Sequence, residues 1–295
     1  MKNADNSAMA LNKKSIKEHR AIMIKSFLKN KLAVAGLIIV VVMVLAAVLA
    51  PVITKYDPYE MDIQNRLAAP GNGHLFGTDT FGRDVFSRVI YGLRISLYVG
   101  FAIAIIAMVF GLIIGLLSAY FPKADVVLMR ICEAMMSIPA TLMAIAMMAA
   151  LGAKTENVII SLSIIYMPTI AKIARASALS VKEMSYIEAI KAQGASWMRI
   201  IFRHIAPNVM SPVIVQTTFI FASAIIVESS LSFIGVGVPQ PTPSLGNILS
   251  EARSVIYNSW WMTLYPGIVM ILTVLGINIL GDGIRDIIDL SLIHI

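Results

Sequence analysis

The chain has 295 residues, of which 58% are hydrophobic and only 14% charged, with a net charge of +7 and a mean hydropathy of +0.81. That is too apolar for a water-soluble domain, whose helices carry charge on one face every turn or so, and lipid is the expected solvent. The single cysteine, Cys132, excludes an intrachain disulfide and a cysteine-rich metal site, and reads as a small packing residue.

Residues 1–31 are polar and basic and lack an apolar core followed by a small-residue cleavage site. No secretory signal is expected there, and the first apolar run is expected to remain in the membrane. About 20 apolar residues cross about 30 Å of hydrocarbon, and windows of that kind predict six helical spans, at 32–53, 95–121, 131–153, 157–174, 209–234 and 260–281. The fourth has the shortest uncharged run and is extended by letting Lys172 reach the headgroups. Trp260 and Trp261 open the sixth at the interface. The predicted class is therefore an all-α membrane protein, with loops 54–94 and 235–259 on one side and segments 1–31, 175–208 and 282–295 on the other.

The basic residues assign the sides, because positive loops stay cytoplasmic. With the N-terminus inside, 17 of the 24 Lys and Arg residues fall on the inner side, in 1–31, at 123 and 130, in 172–208 and at 285; the remaining 7 fall outside, in 54–94 and at 154 and 253. The high pI is thus a topology signal. It argues against nucleic-acid binding, since the positives follow membrane side and are not interleaved with aromatics on one soluble domain.

The inner segment from Tyr186 to Asn208 reads as two short helices broken at Gly194. Trp197, Ile200, Ile201 and His204 recur at helical spacing before Pro207, which is expected to end the pattern. Small residues at Ala189, Gly194 and Ala195 let another protein's surface approach the backbone closely. A solvated surface loop satisfies the same pattern.

The string Glu188-Ala189, Gly194 and His204-Ile-Ala-Pro207-Asn208 resembles the EAA signature of binding-protein-dependent ABC importer permeases, in its dipeptide and oligopeptide version. Ile190 stands where that family favours a second alanine, and Ala206 where it favours leucine. Further stretches are similar to the "C"-type permease of peptide systems: His74 to Leu97 with Gly77, Asp79, Gly82, Arg83, Asp84 and Arg88; Arg130 and Glu133 with Ser137-Ile-Pro139; and Glu228 to Gly237 with Pro241 and Pro243. The resemblance implies a type I importer permease (MetI-like) fold with both termini cytoplasmic, in the bacterial or archaeal inner membrane. It implies a heterodimer with a sister permease, two ABC ATPase subunits and an extracytoplasmic solute-binding protein, the first hairpin helix docking in the ATPase. It implies Glu188, Ala189, Gly194, His204, Pro207 and Asn208 as coupling residues, with Glu188 anchoring the hairpin by capping or pairing. Di- or oligopeptides are the implied solutes, with nickel or oligosaccharide as alternatives.

No Gly-x-x-x-x-Gly-Lys-Ser/Thr phosphate cradle occurs, so ATP and Mg are expected on partner subunits; this chain is expected to bind no cofactor and to be no enzyme. Glu228 is expected near the outer end of the fifth span, as a gate or pathway residue or in helix packing. In the outer loop the glycines make turns, and Asp84 and Arg88 are expected to pair at i,i+4, with a contact to the solute-binding protein as the functional alternative. Arg130 and Glu133 are expected to pair with each other. Methionines 135, 136, 143, 147 and 148 suit adaptable packing better than a soft-metal path, and histidines 19, 74, 204 and 294 all fall outside the predicted spans. No His-Glu-x-x-His, Gly-x-Ser-x-Gly or intramembrane aspartate pair supports an intramembrane enzyme, and no clear inverted repeat supports a stand-alone secondary transporter. Residues 290–295 depart from the family's usual ending after Asp289 and are expected to be foreign to the natural terminus.

Overall fold

The computed structural model describes residues 27–71 and 73–293, with side chains to residue 287. Most of the 1–31 segment, His19, His294 and the end of the 290–295 segment lie outside these residues. Among the described residues the protein is all-helical apart from two isolated bridges. Five helices are long and apolar enough to cross a membrane, and six crossings result if one sharply bent pair counts as a span.

Helix α1 (Lys31–Val48) opens at Asn30, whose side chain accepts the amides of Leu32 and Ala33. α2 (Val85–Tyr120) follows a long loop and begins ten residues before the expected span, because Asp84 caps it by accepting the Ser87 amide at 2.7 Å. Hydropathy hid this first part of the helix, since it carries Arg88 and Arg94. The expected third span at 131–153 is not one rod. It is α3 (Pro122–Met136) and α4 (Ala140–Leu151), bent by 94°. Pro139 lacks an amide hydrogen and disfavours helical geometry at Ile138, so the helix stops and restarts.

Segment 175–182, expected in the inner hairpin, continues the fourth helix, α5 (Thr155–Lys182). Its charges are accommodated: Arg175 makes two bonds of 2.5 and 2.6 Å to Asp125, and Lys182 Nζ donates to the terminal α2 carbonyls of Ala119 and Tyr120 at 2.8 and 3.3 Å. The hairpin itself is α6 (Ser185–Ala192), Gly194 and the start of α7 (Trp197–Phe233). Pro207 does not end the helix. A π-helical turn at Ile200–Ile205 precedes it and the α-helix resumes at Ala206, placing Pro207 in a first turn where its missing amide is tolerated. α8 (Leu245–Ala252) lies within the expected loop 235–259, and α9 (Trp261–Ile293) completes the bundle.

The central contact is between α2 and α5. A Cβ on Gly111 would lie 2.6 Å from Ile170 Cβ, and one on Gly115 would lie 2.5 Å from the Ala171 carbonyl and 2.6 Å from Ala174 Cβ. These glycines, four residues apart, bring the two backbones together in a medium that supplies no hydrophobic drive between helices. Both helices end beside the hairpin, so they run parallel, and bent α3 and α4 return the chain between them. α7 packs against both, and α9 runs antiparallel beside α1, with Asn30 Nδ2 donating to Asp286 at 3.0 Å. The described chain ends and the hairpin thus share one end of the bundle; loop 54–84 and α8 occupy the other.

A leucine at Gly115 forces α2 from α5, and overpacking of this kind costs about 1–3 kcal/mol. Thermal unfolding in detergent should show a lowered Tm for Gly115→Leu and none for Gly267→Ala, where an added Cβ meets nothing within 4 Å. Equal melting of the two variants would refute the crossing as the tight contact.

Candidate functional site

At the hairpin end, Ile187 is the buried residue of α6 and joins Val181, Ala178, Ile200, Ile201 and Ile205 in one core cluster. Ile187, with half-buried Ile190 packed against the same cluster, thus roots α6 on the ends of α5 and α7. The rest of α6 is largely open: Glu188, Ala189 and Gln193 are exposed. Gly194 adopts φ +81, a left-handed conformation that reverses the chain after α6, closed by the Ala195 amide on the Ile190 carbonyl at 3.3 Å.

The expected anchoring role of Glu188 is not observed. Its carboxylate lies in the first turn of α6, where it complements the helix dipole, and it makes no side-chain hydrogen bond or ion pair among the described residues. The anchor is instead Tyr186, which the sequence reading left without a role. Asn208 Nδ2 donates to the His204 carbonyl at 2.6 Å and to the Tyr186 hydroxyl at 3.3 Å, joining α6 to the re-entry into α7. Pro207 and Asn208 are exposed and His204 half-buried. Trp197 stacks edge-on against Phe121 at 5.5 Å, linking the hairpin to the end of α2.

Between α5 and α7, just above the hairpin, a cleft of about 530 Å³ is lined by Ser177, Ser180, Asn208, Ser211 and Gln216, with Phe219 and Arg285. Hydroxyls and amides at helical spacing inside apolar helices were the sequence signal for it, at 177 and 180 and again at 208 and 211.

At the opposite end, the Gly77 to Arg88 stretch forms a buried charge cluster. Asp79 accepts the amides of Phe81 and Arg83 at 2.8 and 3.0 Å, the Arg83 Nε at 2.6 Å, and Arg88 Nη1. Glu251 of α8 accepts Arg83 Nη2 at 2.7 Å and both Arg88 amino groups at 2.5 and 3.0 Å. The expected Asp84–Arg88 pair is therefore absent: Asp84 is spent on the α2 cap and on His74 Nδ1 at 2.8 Å, and Arg88 turns to Asp79 and Glu251. Gly77 and Gly82, at φ +72 and +78, make the turns that fold this loop inward. Their burial fits a structural clamp rather than a contact surface.

Glu228 is wholly buried in α7. It accepts Ser96 Oγ of α2 at 2.8 Å, Ser232 Oγ at 2.8 Å and Ser229 Oγ at 3.4 Å. Arg130 and Glu133 meet at 3.9 Å on an exposed face of α3. Met148 is buried and Met143 and Met147 pack around the same cluster. No group of three or more metal-ligating side chains occurs among the described residues.

Comparisons with known proteins follow the same outline. Residues 107–294 match the family described as binding-protein-dependent transport system inner membrane component, and residues 21–70 match the N-terminal TM domain of oligopeptide transport permease C. A dipeptide transport system permease protein of Alkalihalophilus pseudofirmus is 42% identical over 90% of this chain and 88% of its own. A di/tripeptide transport system permease protein of Pseudomonas aeruginosa is 38% identical over 90% of both. A chain of the inward-facing MetNI methionine ABC transporter superposes with a TM-score of 0.57 at 21% identity, over 68% of this chain and 97% of that one; this likeness shows the fold.

Replacing Glu251 by leucine leaves two buried arginines facing Asp79 alone, a change that costs about 3–5 kcal/mol when one partner of a buried pair is lost. Chemical denaturation should register this loss, with Arg88→Met/Glu251→Leu recovering part of it. A Glu251→Leu protein as stable as the parent would rule out the clamp.

Proposed function

The chain belongs to the family of binding-protein-dependent transport system inner membrane components, and from that membership we propose that it is the permease subunit of an ABC importer of di- or oligopeptides. The relatives named for dipeptides and di/tripeptides, each covering nine-tenths of this chain, support the solute class. The single observation that carries the mechanism is the hairpin. α6 is rooted by Ile187 and half-buried Ile190 and presents Glu188, Ala189 and Gln193 to solvent.

In this reading six spans cross the membrane, α3 and α4 together forming the third, and the hairpin and both termini are cytoplasmic, in accord with the 17 basic residues on that side. α6 docks in a separate ATPase subunit. Two such ATPases, this chain, a sister permease and an external binding protein form the transporter. The chain carries no phosphate cradle and catalyses nothing itself; ATP and Mg reside on the ATPases. Glu188, exposed and unpaired here, and Ala189, small and exposed, meet the ATPase surface. Gly194 sets the turn, while Tyr186, His204, Pro207 and Asn208 fix the junction with α7. The cleft between α5 and α7, whose largely apolar wall carries the hydroxyls of Ser177, Ser180 and Ser211, the amides of Asn208 and Gln216, and Arg285 of α9, is the inner leg of the solute path.

Cysteines at Ala189 and Gln193, in a Cys132→Ala background, should crosslink to the coexpressed ATPase in a nucleotide-sensitive way. Intact uptake with no crosslink at either position would refute the docking assignment.

A further inference from the structure

Glu228 is the one acidic side chain of α7, and the cations of the helices around it are engaged or distant. On α2, Arg88 is bonded to Asp79 and Glu251 and Arg94 is exposed. On α7 the other charges, Arg199 and Arg203, stand at the hairpin, and the cations of the other two packed helices, Lys172, Arg175 and Lys182 of α5 and Arg285 of α9, lie in the same half of the bundle. Glu251 of α8 belongs to the arginine cluster. No cation meets Glu228 among the described residues. Its shell is made of hydroxyls instead: Ser96 on α2, Ser229 and Ser232 on α7, and buried Ser244 at the start of α8.

An ionised carboxylate taken fully out of water without a counter-ion costs several kcal/mol. Hydroxyls donate and accept equally well, so this shell satisfies a protonated acid, which needs one acceptor and offers another, as readily as an anion. An ammonium or guanidinium partner would serve the anion alone.

The hydroxyls around the acid also hold the loop that follows α7. Ser232 Oγ accepts the Val238 amide at 3.0 Å, and the Val238 carbonyl is held by Asn247 Nδ2 at 2.9 Å. Gly246 of α8 lies so close to α7 that a Cβ there would meet the Ser229 carbonyl at 2.2 Å. Through Ser96, Ser232 and Ser244, Glu228 joins α2, the end of α7 and the 235–252 segment that folds back over them.

We propose that Glu228 is a neutral carboxylic acid that latches this segment across the outer ends of α2 and α7, and that the latch must release for solute to enter. It is a positioning residue: the 235–252 segment does the closing and Glu228 holds it. The assignment of "outer" and of solute entry rests on the permease reading above; the neutral acid does not.

The test uses the assembled transporter in proteoliposomes with three variants. Glu228→Gln keeps one acceptor and one donor and should retain uptake within about twofold, the loss of part of one neutral hydrogen bond. Glu228→Ala removes the latch and should raise ATP hydrolysis in the absence of binding protein several-fold, uncoupling it from uptake. A merely structural role would lower the Tm without that uncoupling. Glu228→Asp, one methylene short of Ser96 and Ser232, should behave like the alanine variant. The parent should show a protonated-carboxyl infrared band at neutral pH that Glu228→Gln lacks. Loss of uptake in Glu228→Gln by about tenfold or more, equivalent to 1.4 kcal/mol, or absence of the infrared band, would overturn the neutral acid. The infrared reading needs no transport, so it stands or falls separately from the permease assignment.

Discussion

The contact on which the bundle depends is the crossing of α2 and α5 at Gly111 and Gly115. Apolar side chains gain little by leaving lipid for one another, so helices in a bilayer are held by close backbone approach and by polar bonds between them. Here the approach is so close that no Cβ fits at either glycine. Because α2 and α5 are parallel, the chain must return between them, and the sharp bend at Ser137–Pro139 is the form that return takes. α7 then packs against both, and the hairpin hangs from the ends of α2, α5 and α7 together.

The two ends of this frame are built from different chemistry. At one, Asp79, Arg83, Arg88 and Glu251 are nearly or fully buried and balance in charge, in a cluster drawn from the 79–88 loop and α8. Removing any partner strands a charge out of water, so this end resists deformation. At the hairpin end the links are a buried and a half-buried isoleucine, a tyrosine hydroxyl, an amide and an edge-on aromatic pair. Each contributes only modestly. The two ends are therefore unequally held, by buried ion pairs at one and by apolar contacts and neutral hydrogen bonds at the other.

Much of this was legible in the sequence, because hydropathy windows report helices in lipid directly. Length and apolar runs placed the long helices, and Gly194 marked the hairpin turn through its left-handed φ. What failed was whatever charge or proline concealed. Charge hid the first ten residues of α2, the last eight of α5 and the hairpin start of α7, since hydropathy cannot know that Arg175 meets Asp125 or that Lys182 covers helix-end carbonyls. The Ser137-Ile-Pro139 stretch was noticed as a likeness and not as a break, although its proline carries the reason. The i,i+4 rule paired Asp84 with Arg88, yet a cap residue has already used its oxygens. Glu251, 163 positions from Arg88, is invisible to any local rule.

α7 connects the two ends. From Trp197 to Phe233 it is one helical run of 37 residues, roughly 55 Å at 1.5 Å per residue. Its first turns belong to the hairpin and its last to the hydroxyl shell of Glu228, so tilting the hairpin tilts the shell. Two features control how much of that motion survives the length. The π-helical turn at Ile200–Ile205 and Pro212 each weaken the backbone ladder locally, and both lie in the hairpin half. Beyond Pro212 no proline interrupts α7 before Phe233, so that half moves as a rod. On the permease reading proposed above, a displacement imposed at α6 would meet compliance near Pro212 and an uninterrupted helix beyond it. Glu228 and Ser232 lie together in that uninterrupted half, and the bond to Ser96 ties them to α2.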